Sequence, residues 1–295
     1  MDLSTFADAV GADGPVTISG LASRGGPVAG VRRVCAPSGI VELLPAEMTV
    51  RCGAGTPVDE LAAELRANGQ YAALPAGGTV GGALATGASD VYRLGHGPVR
   101  DALLQVRYVS AEGRVIKAGG ATVKNVSGFD LCRLIVGSRG TLGFIGEVIL
   151  RTKPLPAVSR WFVSEGADPF ALLGSIYRPA SVLWDGSATW VCLEGHRDDV
   201  AEQATHIPGG READGPPVIP TGSRQSMRPS ELRTLTGEFL AEVGVGIVHR
   251  PVAAPTRPTA APEVVELNRR IKSLFDPTGR LNPGVDALDA TRGST

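Results

Sequence analysis

The chain has 295 residues, of which 43% are hydrophobic, so it can bury one large core or two cores of ordinary size. Its 29 Lys and Arg residues balance 30 Asp and Glu residues, which excludes the strong positive field that binding to nucleic acid or an acidic membrane requires. No apolar run approaches the roughly 20 residues that span a bilayer, and the four cysteines form no CxxC pair. We therefore expect a cytoplasmic protein with no signal peptide, no direct membrane span and no nucleic-acid partner.

Short strands are predicted where a run that contains β-branched residues ends in glycine. The runs "VTISG" (16–20) and "EMTVRCGAG" (47–55) have this pattern. Further along, "ALLQVRYVSAEGRVIKAGG" (102–120) predicts two strands joined by a turn at Glu112 and Gly113. Alternation of such strands with helices predicts a mixed fold of α-helices and β-strands.

A helix is predicted directly after the second strand. Thr56 has the residue type of an N-cap, and Pro57 has that of a first helical position. The dipeptide "NG" at 68–69 ends the pattern. The residues on the predicted apolar face of this helix are Val58, Leu61, Ala62 and Leu65.

Two glycine clusters lie on either side of the predicted strand pair. The first is "PAGGTVGGALATGASD" (75–90), and the second falls between a short helix at 130–136 and a strand at 144–151. Each interior glycine costs about 0.5–1 kcal/mol relative to alanine. For any single glycine close packing is the favoured explanation, but two clusters indicate a ligand that lies against bare backbone, such as the pyrophosphate of a dinucleotide. Neither GxxxxGK[ST] nor a GxGxxG between a first strand and helix is present, so an ordinary P-loop or Rossmann site is not predicted.

Four stretches together resemble one known superfamily. They are "TVGGALATGAS" (79–89), "GPVRDALLQVRYVSAEGRVIKAGG" (97–120), "KNVSGFDLCRLIVGSRGTLGFIGEVILR" (124–151) and "DPTGRLNPG" (276–284). In these stretches the chain resembles the FAD-binding flavoproteins of the vanillyl-alcohol oxidase/p-cresol methylhydroxylase (PCMH-type) superfamily, and within it the FAD-binding E subunits of glycolate oxidases. The resemblance implies an α+β fold with a PCMH-type FAD-binding domain of two α/β subdomains and a cap domain built on an antiparallel sheet.

This resemblance also implies the domain limits. They are a PCMH-type FAD-binding domain at 1–156, a cap or substrate domain at 157–260, a C-terminal helix and turn returning to the FAD domain at 261–285, and a flexible tail at 286–295.

Within the cap, strands are predicted near 159–164, 181–186 and 188–195, with helices near 168–178 and 197–206. Five prolines and four glycines predict a long loop or lid at 208–229. The three tryptophans are assigned to the core of the cap rather than to a substrate cage. The later segment "EVVELNRRIKSLF" predicts a helix before a type I turn at 276–279, and the residues on its apolar face are Val264, Leu267, Ile271 and Leu274.

FAD is the cofactor that the resemblance implies. We expect it to be non-covalent, because the loop "SGLASRGG" (19–26) lacks the histidine that tethers flavin in some members of the superfamily. The residues implied to hold FAD are Gly20, Ser23, Arg24, Gly25, Gly77, Gly78, Thr79, Gly81, Gly82, Thr86, Gly87, Ala88, Ser89, Asp101, Lys124, Asn125, Gly137, Gly140, Thr141, Gly143, Ile145 and Asn282.

Several of these polar residues have a second interpretation. Lys124 is either a cation beside the flavin N1/O2 edge or a solvated loop lysine. Asp101 either meets the cofactor or ends a loop by accepting backbone hydrogen bonds, and Asn282 either returns to the flavin or forms a turn. The candidates for catalysis are His96, Lys124 and Arg100, although a lone loop histidine is more often structural.

The sequence leaves several functions open. His196, His206 and His249 are too scattered to predict a metal site. The resemblance implies a small carboxylic acid substrate, held by an arginine such as Arg100 or Arg250, together with a second flavin subunit and an iron–sulfur subunit that provide any membrane association. The cysteine count places the iron–sulfur cluster on another chain. A catalytic 2-hydroxy acid dehydrogenase, a non-catalytic flavin-bearing electron-transfer or assembly subunit and a flavin reductase all fit the sequence.

Overall fold

Two antiparallel sheets organise the chain, one before residue 155 and one after it. The structure is a computed structural model that describes residues 1–121, 130–253 and 260–287. The candidates Lys124 and Asn125 and most of the predicted tail lie outside the described residues.

The elements of the described ranges are as follows. The α-helices are α1 (Ser4–Val10), α2 (Val58–Ala67), α3 (Val80–Thr86), α4 (Arg93–His96), α5 (Leu131–Ile135), α6 (Pro169–Ser175), α7 (Arg197–Ala204) and α8 (Pro262–Phe275). Short 3-10 helices span Pro45–Glu47, Val99–Ala102 and Pro229–Thr234. The strands are β1 (Val16–Ser19), β2 (Arg32–Cys35), β3 (Ile40–Leu44), β4 (Thr49–Gly53), β5 (Gln70–Tyr71), β6 (Leu103–Val109), β7 (Val115–Gly119), β8 (Phe144–Arg151), β9 (Lys153–Pro154), β10 (Val158–Glu165), β11 (Ser181–Trp184), β12 (Ala188–Gly195), β13 (Arg211–Ala213), β14 (Ser223–Ser226), β15 (Leu240–Glu242) and β16 (Ile247–Arg250).

The first sheet has five antiparallel strands in the order β3-β4-β8-β6-β7. Helices α2, α3 and α5 pack on it through buried side chains such as Leu61, Leu84 and Ile135. Helix α1 packs elsewhere on the sheet, where a side chain at Gly146 would strike Leu3 and Phe6. The hairpin predicted at 102–120 is confirmed, because β6 and β7 pair in antiparallel register around the 110–114 turn.

Two details of the predicted helix after β4 are wrong. Helix α2 begins at Val58, and Thr56 is not its N-cap, because the Thr56 hydroxyl donates to the Gly53 carbonyl and accepts the Gly39 N–H at 2.7 and 2.9 Å. The buried hydroxyl thus ties two turns together instead of capping the helix. Ala62 is exposed, whereas the other three residues of the predicted apolar face are buried.

The second sheet has seven antiparallel strands in the order β13-β10-β12-β11-β15-β16-β14. Helices α6 and α7 cover one face, which we call the outer face, through buried residues such as Leu172 and Val200. Trp161 is buried on the opposite, inner face, as expected for a core residue.

The prediction of a long loop at 208–229 is wrong in part. This segment supplies β13 and β14, which are the two edge strands of the seven-stranded sheet. Both strands are short and rich in polar residues, so they lack the apolar alternation from which a strand is recognised. An edge strand needs a partner on one side only, and hydrogen bonds to that partner suffice to hold it.

Helix α8 is confirmed, but its predicted apolar face is not buried. Val264, Leu267 and Leu274 are 44%, 54% and 78% exposed, and the helix packs on the first sheet through Ile271 and Phe275. A stripe selected by helical spacing alone therefore overestimates how much of this helix is covered. The predicted turn after it is confirmed by the hydrogen bond from the Gly279 N–H to the Asp276 carbonyl at 3.0 Å.

The segment after α8 returns to the start of the chain. Asp276 is buried and accepts hydrogen bonds from the Lys272 ammonium and from the backbone N–H groups of Arg280 and Leu281. Leu281 is fully buried and forms a bridge to Val16 of β1. The buried Arg280 guanidinium donates to backbone carbonyls of Val10, Gly11, Asp13, Gly14 and Ala111.

Replacement of this arginine tests how strongly the returning segment stabilises the fold. We expect Arg280→Met to lower the free energy of unfolding by about 3 kcal/mol, because several buried carbonyls lose their donor together. Urea denaturation followed by circular dichroism measures the change. Arg270→Met, at an exposed position of α8, is the matched control. Equal urea midpoints for the two variants would contradict the stabilising role assigned to Arg280.

Candidate functional site

A cleft runs between the loop after β1 and the segments around α3 and β8. Its walls come from 18–28, 54–55, 79–86, 138–145 and the C-terminal turn. Many of the residues predicted from the sequence border it, although they are far apart in the chain. These are Gly20, Ser23, Arg24, Gly25, Thr79, Gly81, Gly82, Thr86, Gly140, Gly143, Ile145 and Asn282.

The glycines of the cleft serve two different needs. A β-carbon at Gly82 would meet only the Thr79 hydroxyl, at 3.1 Å, so this glycine leaves open space toward the cleft. A β-carbon at Gly81 would lie 2.9 Å from Ala54, and one at Gly143 would collide with the ring of Tyr108. These two glycines are therefore required by packing, whereas Gly82 provides the bare surface that a ligand can approach.

Arg24 joins the two glycine-containing loops. Its guanidinium donates to the carbonyls of Pro75, Ala76 and Gly77 at 2.8, 2.7 and 2.5 Å. Burial lowers its pKa, although the charge of Asp59 opposes that shift. Gly78 has a φ of +67°, and a β-carbon there would strike the Ser23 and Arg24 side chains. Arg24 thus holds the cleft wall in place through both of its terminal nitrogens, and its contact with the cofactor stays a prediction.

Asn282 closes the far end of the cleft. Its amide oxygen accepts the Thr17 hydroxyl and the Ile18 N–H at 2.8 and 3.1 Å, and its amide nitrogen donates to the Arg139 carbonyl at 2.7 Å. Its φ is +46°, a left-handed conformation that asparagine adopts more readily than most residues. Asn282 therefore forms a turn at the border of the cleft, and its approach to the flavin stays a prediction.

The other predicted residues do not border the cleft. Gly87 packs against Gly137, since a β-carbon at Gly87 would lie 3.1 Å from the Gly137 α-carbon. The Ser89 hydroxyl accepts the Val99 N–H at 3.1 Å, and the Thr141 hydroxyl donates to the Ser138 carbonyl at 2.7 Å. The described members of this group are Gly77, Gly78, Gly87, Ala88, Ser89, Asp101, Gly137 and Thr141.

Sequence reasoning missed part of the cleft lining. Ala22, with a φ of +58°, continues the loop after β1, and Ala54 and Gly55 follow the end of β4. The glycine of "CGAG" was visible as a strand end but gave no sign of a ligand wall. Ser138 and Arg139 lie in the second glycine cluster, between the predicted residues Gly137 and Gly140.

His96 lies at a second cleft, away from the glycine cleft. Its Nε2 atom is 2.8 Å from a carboxylate oxygen of Glu194 on β12, and its ring is stacked with Tyr92 at 5.2 Å between centroids. Burial disfavours the charged form of Glu194, but the hydrogen bond and charge of His96, with a hydrogen bond from Ser159, outweigh it and lower its pKa. His96 thus connects the loop before β6 to the seven-stranded sheet.

The arginines proposed for substrate binding are placed unfavourably for that role. Arg100 is exposed beside Asp101, 3.8 Å away. Arg250 donates to the carbonyls of Thr236 and Glu238 and lies over the Phe239 ring. Within residues 1–121, 130–253 and 260–287, no group of three or more His, Cys, Asp or Glu side chains is arranged to hold a metal ion. The same ranges contain no helix that is long and apolar enough to cross a membrane.

Two family models match parts of the chain that contribute to the cleft. Residues 17–119 match the family model described as FAD binding domain, and residues 230–285 match that of the FAD linked oxidases, C-terminal domain. The chain is 33% identical over 225 residues to glycolate oxidase subunit GlcE of Escherichia coli, covering 68% of this chain and 61% of that protein. It is 46% identical over 76 residues to a D-lactate dehydrogenase of Archaeoglobus fulgidus, covering 26% and 17% of the two chains.

The fold has a counterpart among solved structures. Alkyldihydroxyacetonephosphate synthase superposes with a TM-score of 0.67 at 14% identity, over 92% of this chain and 73% of that one. The α+β fold with a PCMH-type FAD-binding domain, predicted from the sequence, is confirmed.

The two matched domains define an FAD-binding flavoprotein. The chain belongs to the FAD-linked oxidases of the vanillyl-alcohol oxidase/p-cresol methylhydroxylase superfamily. It spans about three fifths of the length of the GlcE relative, 61%. The open backbone at Gly82 fits a cofactor lying directly on the chain.

A single glycine replacement tests the assignment of the cleft. We expect Gly82→Val to raise the FAD dissociation constant at least about tenfold, because the branched side chain adds bulk at a glycine that borders the cleft. Gly174→Val is the matched control, since Gly174 also lies in a seven-residue helix and a β-carbon there meets nothing within 4 Å. Fluorescence titration of apoprotein with FAD measures the affinity, and circular dichroism checks folding. Equal FAD affinity in the two folded variants would contradict the assignment of Gly82 as a surface on which FAD lies.

Proposed function

We propose that the protein is an FAD-dependent oxidoreductase subunit that oxidises the CH–OH group of a small 2-hydroxy acid within a glycolate oxidase-like complex. The observation that carries this proposal is the glycine cleft, which leaves open backbone at Gly82, in a chain that also has a seven-stranded antiparallel sheet. The similarity to an Escherichia coli glycolate oxidase subunit over 68% of the chain supports the same substrate class.

Each part of the chain has a defined task in this proposal. When bound, FAD supplies the acceptor for the hydride that leaves the substrate carbon. The residues that would hold it are the bare backbone at Gly82, the loop after β1 and the turn fixed by Asn282. The cap sheet excludes water from the reacting face and orients the substrate. Lys124 stays a candidate for the flavin N1/O2 edge, and His96 is better suited to positioning the cap through Glu194.

Cofactor attachment is proposed to be non-covalent. Among the described residues that border the cleft, none is a histidine, cysteine or tyrosine, the side chains that most readily form flavin bonds. The loop after β1 likewise has no such side chain.

Acid precipitation tests the mode of attachment. We expect trichloroacetic acid to release all of the yellow flavin into the supernatant, because hydrogen bonds and packing do not survive unfolding. Absorbance at 450 nm measures how much flavin is in the supernatant and how much is in the redissolved pellet. Flavin that stays with the precipitated chain would contradict non-covalent binding.

The partners follow from what this chain carries. Cys52, Cys132 and Cys192 are buried, and desolvation, the largest cause, raises the pKa of these thiols to about 12, 11 and 12. Such thiols are poor iron ligands, which supports an iron–sulfur cluster on another subunit. A second flavin subunit completes the proposed complex.

One observation fits both this proposal and the alternative of a non-catalytic electron-transfer or assembly subunit. Helix α8 leaves aliphatic side chains such as Leu267 and Leu274 exposed, as a surface that meets another chain would.

Anaerobic stopped-flow spectroscopy decides between the two functions. We expect the flavin absorbance at 450 nm to bleach when glycolate or D-lactate is mixed with the complex, because hydride transfer reduces the ring. Rapid bleaching of the isolated chain would make it a dehydrogenase in its own right and eliminate the accessory role. Bleaching only with partners present fits catalysis within the complex. Unchanged absorbance of this chain's flavin in both samples would contradict oxidoreductase function.

A further inference from the structure

The inner face of the cap sheet carries a row of charged residues. Directly opposite residues of antiparallel strands point to the same face of a sheet. Arg224 of β14 is opposite His249 of β16, which is opposite Leu240 of β15. Glu242, two residues after Leu240, is on that same face. The row therefore crosses three neighbouring strands at one end of the sheet.

This face is turned toward the loop that follows α3. Leu240 and Leu183, which share the inner face, pack in one cluster with Val91. The loop starts directly after Thr86, which borders the cofactor cleft. The charged row and the FAD cleft are thus linked by a few residues of one loop.

Glu242 and His249 form a buried pair within the row. Glu242 is 2% exposed, and one of its carboxylate oxygens lies 2.8 Å from the His249 Nε2 atom. The other carboxylate oxygen is buried and has no hydrogen-bond partner among the described residues. A buried polar group without a hydrogen-bond partner costs about 1–3 kcal/mol. This end of the sheet therefore contains a carboxylate oxygen that still needs a donor.

Arg224 is the cation of the row. Burial lowers its pKa, the charge of Glu242 opposes that shift, and the charge of Arg93 adds to it. Within the described ranges its guanidinium forms no hydrogen bond or ion pair, unlike those of Arg24, Arg250 and Arg280. The N–H groups of this half-buried guanidinium have lost part of their hydration and have no protein acceptor among the described residues. A bound anion would accept hydrogen bonds from them.

We propose that Arg224 binds the carboxylate of the small acid substrate, in a site between the inner face of the cap sheet and the 90–93 loop. A planar guanidinium offers two parallel donors to a carboxylate, which fixes both position and orientation. The facing loop brings Asp90, whose pKa burial raises, and Arg93. The Glu242–His249 pair borders the site, because His249 lies directly opposite Arg224. This inference rests on the proposed function.

A redox-inert carboxylate tests the site without any turnover. Oxalate is titrated by calorimetry into FAD-loaded protein, alone and with its copurified partners. We expect Arg224→Met to weaken oxalate binding at least about tenfold, because charge-assisted hydrogen bonds are lost, and Arg224→Lys to weaken it less. Arg250→Met is the matched control, because Arg250 lies on the adjacent strand with its side chain on the outer face. FAD affinity is expected to be unchanged in all three variants.

Each other result overturns the inference. Equal oxalate affinity in Arg224→Met and Arg250→Met would remove Arg224 from the site, as would wild-type protein that binds no oxalate. Lost FAD affinity in Arg224→Met would assign the guanidinium to the flavin. If Arg224→Met does not fold, the oxalate and FAD affinities of Arg224→Lys are compared with those of the wild type, and the same outcomes decide. Failure of the proposed function is distinguishable, because it appears as unreduced flavin in protein that still binds oxalate through Arg224.

Discussion

The side-chain amide of Asn282 is the contact on which the glycine cleft depends. It accepts hydrogen bonds from β1 and donates one to the loop before β8, so it joins residues that are 143 and 265 positions away in the chain. The one amide supplies both the acceptor that β1 uses and the donor that the loop before β8 uses. Gly140 is required for the same reason, because a β-carbon there would lie 2.6 Å from the Asn282 amide nitrogen.

The surrounding contacts explain how this amide is held. Arg280 and Asp276 fix the returning turn to the first residues of the chain, and Arg24 fixes the loop after β1 to the first glycine cluster. The cleft is therefore assembled from separate segments by a small number of polar groups, each buried or half-buried. Such groups stabilise a structure only when their partners are all present. Loss of the C-terminal turn would consequently disturb the walls of the cleft.

The sequence was most informative where one residue type had a single physical meaning. Glycine clusters indicated bare backbone, and the hairpin at 102–120 was recognised from its turn. It was least informative where tertiary contacts override local preference: Thr56 ties two turns instead of capping a helix, and the apolar stripe of α8 is largely exposed. Arg224 was missed because its polar edge strand has no strand signature, so nothing in the sequence placed it opposite His249.

The central claim is that FAD lies along the cleft that Asn282 closes. Hydrogen–deuterium exchange of apoprotein and FAD-loaded protein, read by mass spectrometry, tests it most directly because it locates the cofactor without mutation. The account predicts slower exchange on FAD binding in 19–26, 79–86 and 138–145, and unchanged exchange in α7 on the outer face of the cap sheet. Protection confined to the second cleft beside His96 and Glu194, with the three glycine-containing segments unchanged, would contradict it.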